Sequence, residues 1–175
     1  MINQPTVYLD PLLTDPRCDP REVQQAAVEE EERLSNTDWC ICGKCVQMPT
    51  TEESVCCHEF QNIKEKFGED TKCICEDPYV QESLVDREIT IQLYRYGMSF
   101  LRKRFRSVAQ MKESDFRKTA YRAFTMWVYG YLGPRRRRPI PACVVKHIRE
   151  AFPSPDNTYM GFIYANSDGN AVDFY

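Results

Sequence analysis

The sequence predicts a small zinc-stapled α+β domain that is mainly helical and contains one short β element. Seven of the nine cysteines lie between Cys40 and Cys75, in a segment with few periodic apolar residues. Three later segments show helical periodicity or helix-boundary residues. Residues 158–164 have the aromatic character of a strand. A chain of 175 residues is most simply one such domain with additional chain around it.

The chain divides into three parts by composition. Residues 1–35 are an acidic lead, which we expect to be disordered or to form a short exposed helix over 21–34. Asp19 and Pro20 are typical of the start of that helix. Residues 36–165 form the zinc-binding domain, and residues 166–175 form a flexible tail.

Three helices are predicted after the cysteine-rich segment. The first covers 82–111, where apolar residues, among them Ile89, Leu93 and Tyr96, recur at three- and four-residue steps along one side. The second covers 114–131 and ends at glycines. The third covers 142–152 and lies between Pro141 and Pro153. One or two helical turns are also expected within 60–67.

Charge and hydropathy limit the classes of function. No run approaches the roughly 18 apolar residues of a membrane span, and the N-terminus lacks the features of a signal peptide. We therefore expect a cytoplasmic protein with access to the nucleus. The net charge is −3, yet residues 95–149 contain fifteen Lys or Arg against only Glu113 and Asp115. Such a basic segment favours an anionic partner, namely a nucleotide, a nucleic acid, a membrane surface or the acidic lead itself.

The cysteines are expected to bind metal, because cytosolic thiols remain reduced. Cys42 and Cys45 have the Cys-x-x-Cys spacing that directs two sulfurs to one zinc ion. The adjacent Cys56 and Cys57 point in different directions, which favours two neighbouring ions. Two tetrahedral ions have eight coordination positions, and six thiolates fill them if two sulfurs bridge. The predicted ligands are Cys42, Cys45, Cys56, Cys57, Cys73 and Cys143, with Cys40, Cys75 and His58 as further candidates.

A site closed by protein ligands is structural, so we do not expect an enzyme. His58 and His147 are the two histidines, and neither stands near an acidic partner in a recognisable catalytic motif. The sequence also lacks the Gly-x-x-x-x-Gly-Lys loop of one large class of nucleotide-hydrolysing enzymes. Metal binding is therefore expected to stabilise the fold rather than to support a reaction.

A set of landmarks occurs in a fixed order over roughly residues 36–165. They are Trp39-Cys-x-Cys-x-x-Cys, Cys56-Cys57, Cys73, Ala120-Tyr121-Arg122, Trp127, Pro141-Ala142-Cys143, Ile148-Arg149-x-x-Phe152-Pro153 and Tyr159-x-Gly161-Phe162. The order of these landmarks resembles a known family, the cytoplasmic ballast domain of subtype seven of the ATP-gated purinergic receptor channels. The resemblance implies a compact α+β unit with a dinuclear zinc centre held by the six predicted cysteines. It also implies a bound guanine nucleotide, GDP or GTP.

The nucleotide-binding residues implied by the resemblance are only partly present. Arg117-Lys118-x-x-Tyr121 matches the family motif that faces the guanine base, and Arg149 matches a basic position. Val145 and Ser154 replace basic residues of the family, and the arginines at 135–138 are candidates to supply the missing charge. The candidate nucleotide residues are Arg117, Lys118, Tyr121, Arg138 and Arg149.

Two functions from different classes follow. The first is a soluble, non-enzymatic zinc module that binds GDP or GTP and acts in ligand sensing or protein interaction. The alternative is a zinc-dependent nucleic-acid-binding protein that uses the basic segment 95–149, which has interleaved aromatic residues. Steep salt dependence of binding would identify the alternative.

Overall fold

The computed structural model describes residues 32–100, 107–132 and 136–162, without the side chains of 98–100. Its three main helices are α1 (Arg87–Phe100), α2 (Glu113–Tyr129) and α3 (Ala142–Ala151). Short elements precede and separate them. These are 3-10 turns at Cys57–Glu59, Ile74–Glu76 and Val108–Gln110, one α-helical turn at Gln61–Lys64 and one π-helical turn at Tyr79–Ser83.

The predictions for the second and third helices are confirmed, with boundaries that differ by no more than two residues. The first predicted helix, 82–111, begins too early in the chain. A π-helical turn occupies 79–83, and α1 begins only at Arg87. After the undescribed residues 101–106, the chain forms a 3-10 turn rather than the predicted end of a long helix.

The predicted α+β class is wrong for the part of the chain that the structure describes, because this part contains no strand. Residues 158–162 were expected to begin the β element. They instead follow a turn in which the Asp156 carboxylate accepts hydrogen bonds from the Ser154 hydroxyl (2.7 Å) and the Thr158 amide (3.1 Å). The ring of Tyr159 faces the guanidinium groups of Arg117 and Arg149. The aromatic residues therefore serve side-chain contacts rather than a β ladder.

The core forms where α2 packs against both α1 and α3. Phe124 of α2, Ile148 of α3 and Phe152 are almost fully buried. The rings of Phe116 and Phe152 stack with their centroids 5.3 Å apart. Five cysteines belong to the same buried cluster, four of them from the cysteine-rich segment, so this segment is part of the core and not an appendage.

Two contacts fix α3 against the cysteine-rich segment. The amide of Ala142, at the start of α3, donates a hydrogen bond to the carbonyl oxygen of Val55 (2.9 Å). The helix also packs against the 3-10 turn Ile74–Glu76. The start of α3 is therefore held between two segments that lie more than 60 residues earlier in the chain.

Other expectations are met only in part by the described residues. Residues 32–35 are helical, at the end of the helix predicted over 21–34, and the remainder of that prediction lies outside the described residues. The predicted tail 166–175 also lies outside them. No helix in the described parts of the chain is both long enough and apolar enough to cross a membrane.

Candidate functional site

The turn at Cys42-Gly43-Lys44-Cys45 brings two sulfur atoms together. Gly43 has a φ of +71°, a left-handed conformation that glycine adopts without the strain a Cβ would cause. The Sγ atoms of Cys42 and Cys45 lie 3.7 Å apart, and the amide of Cys45 donates to Cys40 Sγ at 3.4 Å. The Lys44 amine forms an ion pair with Glu76 (2.8 Å), which ties this turn to the segment containing Cys73 and Cys75.

Four sulfur atoms around this turn form the outer group. Its members are Cys40, Cys42, Cys45 and Cys56, whose Sγ atoms all lie within 4.8 Å of one another. Cys42 and Cys56 are buried, whereas Cys40 and Cys45 are partly exposed. The outer group therefore lies near the surface of the molecule.

A second set of sulfur atoms forms the inner group. Its members are Cys42, Cys57, Cys73 and Cys143, which satisfy the same distance limit and are all buried. Cys42 belongs to both groups. The adjacent Cys56 and Cys57 fall into different groups, as expected for neighbouring side chains that point in different directions.

The two groups fit two tetrahedral thiolate-bound ions. A zinc–sulfur bond of about 2.3 Å gives a tetrahedron with edges of about 3.8 Å. The Cys40–Cys42 and Cys42–Cys45 sulfur pairs, both at 3.7 Å, match that edge. Two tetrahedral ions have eight coordination positions. The seven sulfur atoms can supply all eight, because Cys42 Sγ can be shared between the two ions. The structure thus brings Cys40 together with the six predicted ligands and has one sulfur shared between groups, where the sequence predicted two.

The other two candidate ligands lie outside both groups. His58 Nε2 is 2.7 Å from the carbonyl oxygen of Lys72, and its imidazole packs edge-on against Phe67. Cys75 is partly exposed and packs against the core cluster. Hydrogen bonding with Cys143 lowers the pKa of Cys75, but hydrogen bonding with Cys73 and burial together outweigh it, so the pKa is raised.

Hydrogen bonding among the inner thiols separates their protonation states. Hydrogen bonds with Cys143 lower the pKa of Cys42 to about 5 and also lower the pKa of Cys73. The same hydrogen bonds raise the pKa of Cys143, and the one with Cys42 has the largest effect. Two members of the group are therefore readily ionised, and the thiolate is the form in which cysteine binds metal.

A cavity of about 370 Å³ lies between α2, the chain leading into α3, α3 itself and residues 160–162. Four of the five candidate nucleotide residues line it: Lys118, Tyr121, Arg138 and Arg149. The arginines at 136 and 137 and Arg122 add further positive charge to the lining. Arg135 lies outside the described residues.

Apolar side chains contribute to the same cavity. Val145, which replaces a basic residue of the family, lines it and is largely buried. Ile140 and Phe162 also line it. A cavity with apolar surfaces and a small set of charged groups is typical of sites for small organic ligands.

Arg117 is the candidate nucleotide residue that the structure does not place in the cavity lining. Its guanidinium donates a hydrogen bond to the carbonyl oxygen of Phe152 (2.7 Å) and lies over the ring of Tyr159 (5.1 Å to the centroid). Arg117 therefore secures the end of α3. Ser154, the second departure from the family pattern, bonds to Asp156 and also lies outside the lining.

Sequence reasoning missed Glu53, which lines the cavity although only 4% of its surface is exposed. Its carboxylate forms an ion pair with Arg149 across 3.8 Å. Glu53 lies among polar residues just before Cys56, and nothing in the local pattern distinguishes it from Glu52. Its place in the site comes from the packing of the cysteine-rich segment against α3.

Comparison with known proteins agrees with the landmark resemblance. Residues 7–163 match the family model described as P2X purinoreceptor 7 intracellular domain, a range that includes most of the acidic lead. Over 151 residues, 83% of the chain, it is 27% identical to P2X purinoceptor 7 of Rattus norvegicus. Over 134 residues, 72% of the chain, it is 27% identical to P2X purinoceptor 7 of Mus musculus. These matches span 23% and 20% of the length of the two relatives.

Proposed function

Because this chain belongs to the family of the P2X purinoreceptor 7 intracellular domain, we propose that it is a zinc-stapled domain that binds a guanine nucleotide. In this proposal it acts as a ligand-sensing or protein-interaction module and not as an enzyme. The family is one of intracellular domains, and this membership confirms the predicted cytoplasmic localisation.

The zinc part of the proposal rests on the donor set. All seven members of the outer and inner groups offer sulfur within 4.8 Å of the other members of their group, and two of these distances, both 3.7 Å, match the edge of a tetrahedron of thiolates. Soft thiolate ligands in tetrahedral geometry favour zinc over magnesium or calcium, which prefer oxygen. With every position taken by protein, the ions would be structural, and their binding energy would contribute directly to folding.

The nucleotide part rests on one observation: a single cavity is lined by Lys118, Tyr121, Arg138 and Arg149. The phenol ring of Tyr121 and the nearby apolar side chains suit the face of a purine base. The exposed guanidinium of Arg138 suits a phosphate group, which arginine binds through paired hydrogen bonds. The arginines at 136–138 would then compensate for Val145 and Ser154.

Calorimetric titration of the zinc-loaded full chain with GDP and GTP tests this proposal. We expect saturable binding, and Arg138→Gln should weaken it about tenfold because a charge-assisted hydrogen bond is lost. Arg138 is exposed, so this substitution should leave the melting temperature unchanged.

Lys146→Gln is the matched control, since it removes one positive charge from α3 at a residue outside the cavity lining. It should leave nucleotide affinity unaltered. Absence of heat with millimolar GDP and GTP would refute the nucleotide part. Binding of RNA or DNA with a steep dependence on salt, in place of nucleotide binding, would support the alternative function.

A further inference from the structure

Glu53 is a buried carboxylate that makes few hydrogen bonds to the described part of the chain. Oε2 accepts one hydrogen bond from the Thr50 hydroxyl at 3.2 Å. Oε1 lies 3.8 Å from the nearest guanidinium nitrogen of Arg149. The two groups form an ion pair, but this distance is too long for a hydrogen bond. An ionised carboxylate can accept about four hydrogen bonds. Burial of a charged group is costly unless such bonds are made.

Two further polar atoms, which belong to residues that line the same cavity, are buried and unpaired in the described part of the chain. The Tyr121 hydroxyl and Arg149 Nε have no hydrogen-bond partner among the described residues. Buried polar atoms in native structures are normally paired with protein, water or a ligand. The residues that line the cavity thus include a carboxylate, on Glu53, that can accept further hydrogen bonds and two groups, the Tyr121 hydroxyl and Arg149 Nε, that can donate them. These groups suit a ligand that has both donors and acceptors.

We infer that Glu53 is the residue that selects guanine, by accepting hydrogen bonds from N1–H and the 2-amino group of the base. The inference rests on the proposed nucleotide function and specifies the base that the site reads. Guanine presents these two adjacent donors beside the O6 acceptor, which would pair with Arg149 Nε. Proteins commonly identify unpaired bases through hydrogen bonds to this edge.

Adenine does not satisfy the same groups. Its corresponding edge has an unprotonated ring nitrogen, N1, next to the 6-amino group, so a carboxylate facing it would meet an acceptor in place of a donor. A site with buried polar groups rejects a ligand that leaves them unpaired. Glu53 therefore excludes adenine nucleotides while it favours guanine.

Gly161 leaves room for the Glu53 carboxylate. A Cβ added at residue 161 would lie 2.8 Å from Glu53 Oε2, closer than such contacts normally occur. Gly161 also lines the cavity. The absence of a side chain there allows the chain at 160–162 to close over the carboxylate without displacing it.

The test compares the affinities of GDP, IDP, ADP and XDP by calorimetry with the zinc-loaded full chain. Inosine lacks only the 2-amino group of guanosine. The wild-type protein should bind GDP about 10- to 100-fold more tightly than IDP, as expected for one hydrogen bond to a charged acceptor. ADP should bind more weakly still. This comparison requires no substitution and is independent of any effect on folding.

Glu53→Gln should remove the preference for GDP over IDP and increase affinity for XDP, because the glutamine amide can donate to the O2 of xanthine. Glu52→Gln, which removes the neighbouring carboxylate outside the cavity lining, is the matched control and should keep the wild-type preference. Zinc content and melting temperature verify that each variant is folded.

The outcomes separate the inference from the function on which it rests. If the wild type binds none of the four nucleotides, the proposed function fails and the inference fails with it. If GDP binds but IDP or ADP binds equally well, Glu53 does not select the base, and nucleotide binding still stands. If Glu53→Gln weakens GDP and IDP in the same proportion, Glu53 is only the counter-ion of Arg149.

Discussion

Cys42 is the residue through which the two cysteine groups are coupled, since its sulfur belongs to both. If one sulfur bridges two metal ions, binding of an ion at one group depends on binding at the other. Cys57 and Cys143, in contrast, belong to the inner group alone. Substitution at these residues should therefore affect one ion selectively, whereas substitution of Cys42 should affect both.

Cys57→Ser should reduce bound zinc from two equivalents to one and lower the melting temperature, because a hydroxyl is a poor replacement for a thiolate ligand. Elemental analysis of the purified protein measures the first effect and calorimetry the second. Cys75→Ser is the control, as Cys75 lies in neither group. Two zinc equivalents retained in Cys57→Ser would contradict the ligand assignment.

Arg117 and Arg149 show how residue roles depend on neighbours far away in sequence. Arg117 and Tyr121 are one helical turn apart on α2, so both were expected to contact the base. The structure instead directs Arg117 to the end of α3, at the carbonyl of Phe152. Arg149 does line the cavity, where its contact with Glu53 involves a residue nearly 100 positions earlier.

At the scale of elements, the orientation of α1 differs from the orientation that its periodicity indicates. Ile89, Leu93 and Tyr96 were expected to lie along one apolar side, and they do, but that side is substantially exposed. Among residues 87–97, whose side chains the structure describes, the buried ones are Thr90 and Ile91. The Thr90 hydroxyl donates a hydrogen bond to the carbonyl oxygen of Asp86 (2.6 Å). Because this polar group is paired, Thr90 can lie at the interface with the core.

The packing of α1 can be tested with two isoleucines of the same helix. Ile91→Ala should lower the free energy of unfolding by about 2–4 kcal/mol, because Ile91 is buried in the core cluster. Ile89→Ala should change it by less than about 1 kcal/mol, since 41% of Ile89 is exposed. Urea denaturation of the zinc-loaded variants measures both. A larger effect at Ile89 than at Ile91 would show that α1 packs through the apolar side instead.

At the scale of the whole molecule, α3 connects the inner group of cysteines to the cavity. Cys143 on its first turn belongs to the inner group, while Val145 and Arg149 on the same helix line the cavity. Glu53 and Cys57 likewise lie within one short stretch of chain. Zinc bound at the inner group would therefore fix the positions of both α3, which carries Arg149, and the stretch of chain that carries Glu53.

Removal of zinc with EDTA should unfold residues 36–77 and abolish nucleotide binding, although no cavity-lining residue belongs to the outer or the inner group of cysteines. Limited proteolysis should show new cleavage within that segment, and circular dichroism should show partial loss of helix. Addition of zinc should reverse both changes, because metal-binding energy contributes to folding here. An unchanged proteolytic pattern after complete removal of zinc would contradict a structural role for the ions.

The sequence by itself determined the features that depend on local spacing. The Cys-x-x-Cys turn, the divergence of Cys56 and Cys57, and the positions of α2 and α3 all follow from residues close together in the chain. Only the tertiary structure decided that Cys40 joins the outer group, that 158–162 does not form a strand, and that Glu53 faces Arg149. These features depend on segments that meet only in the folded core, and packing between distant segments leaves no period or spacing in the sequence.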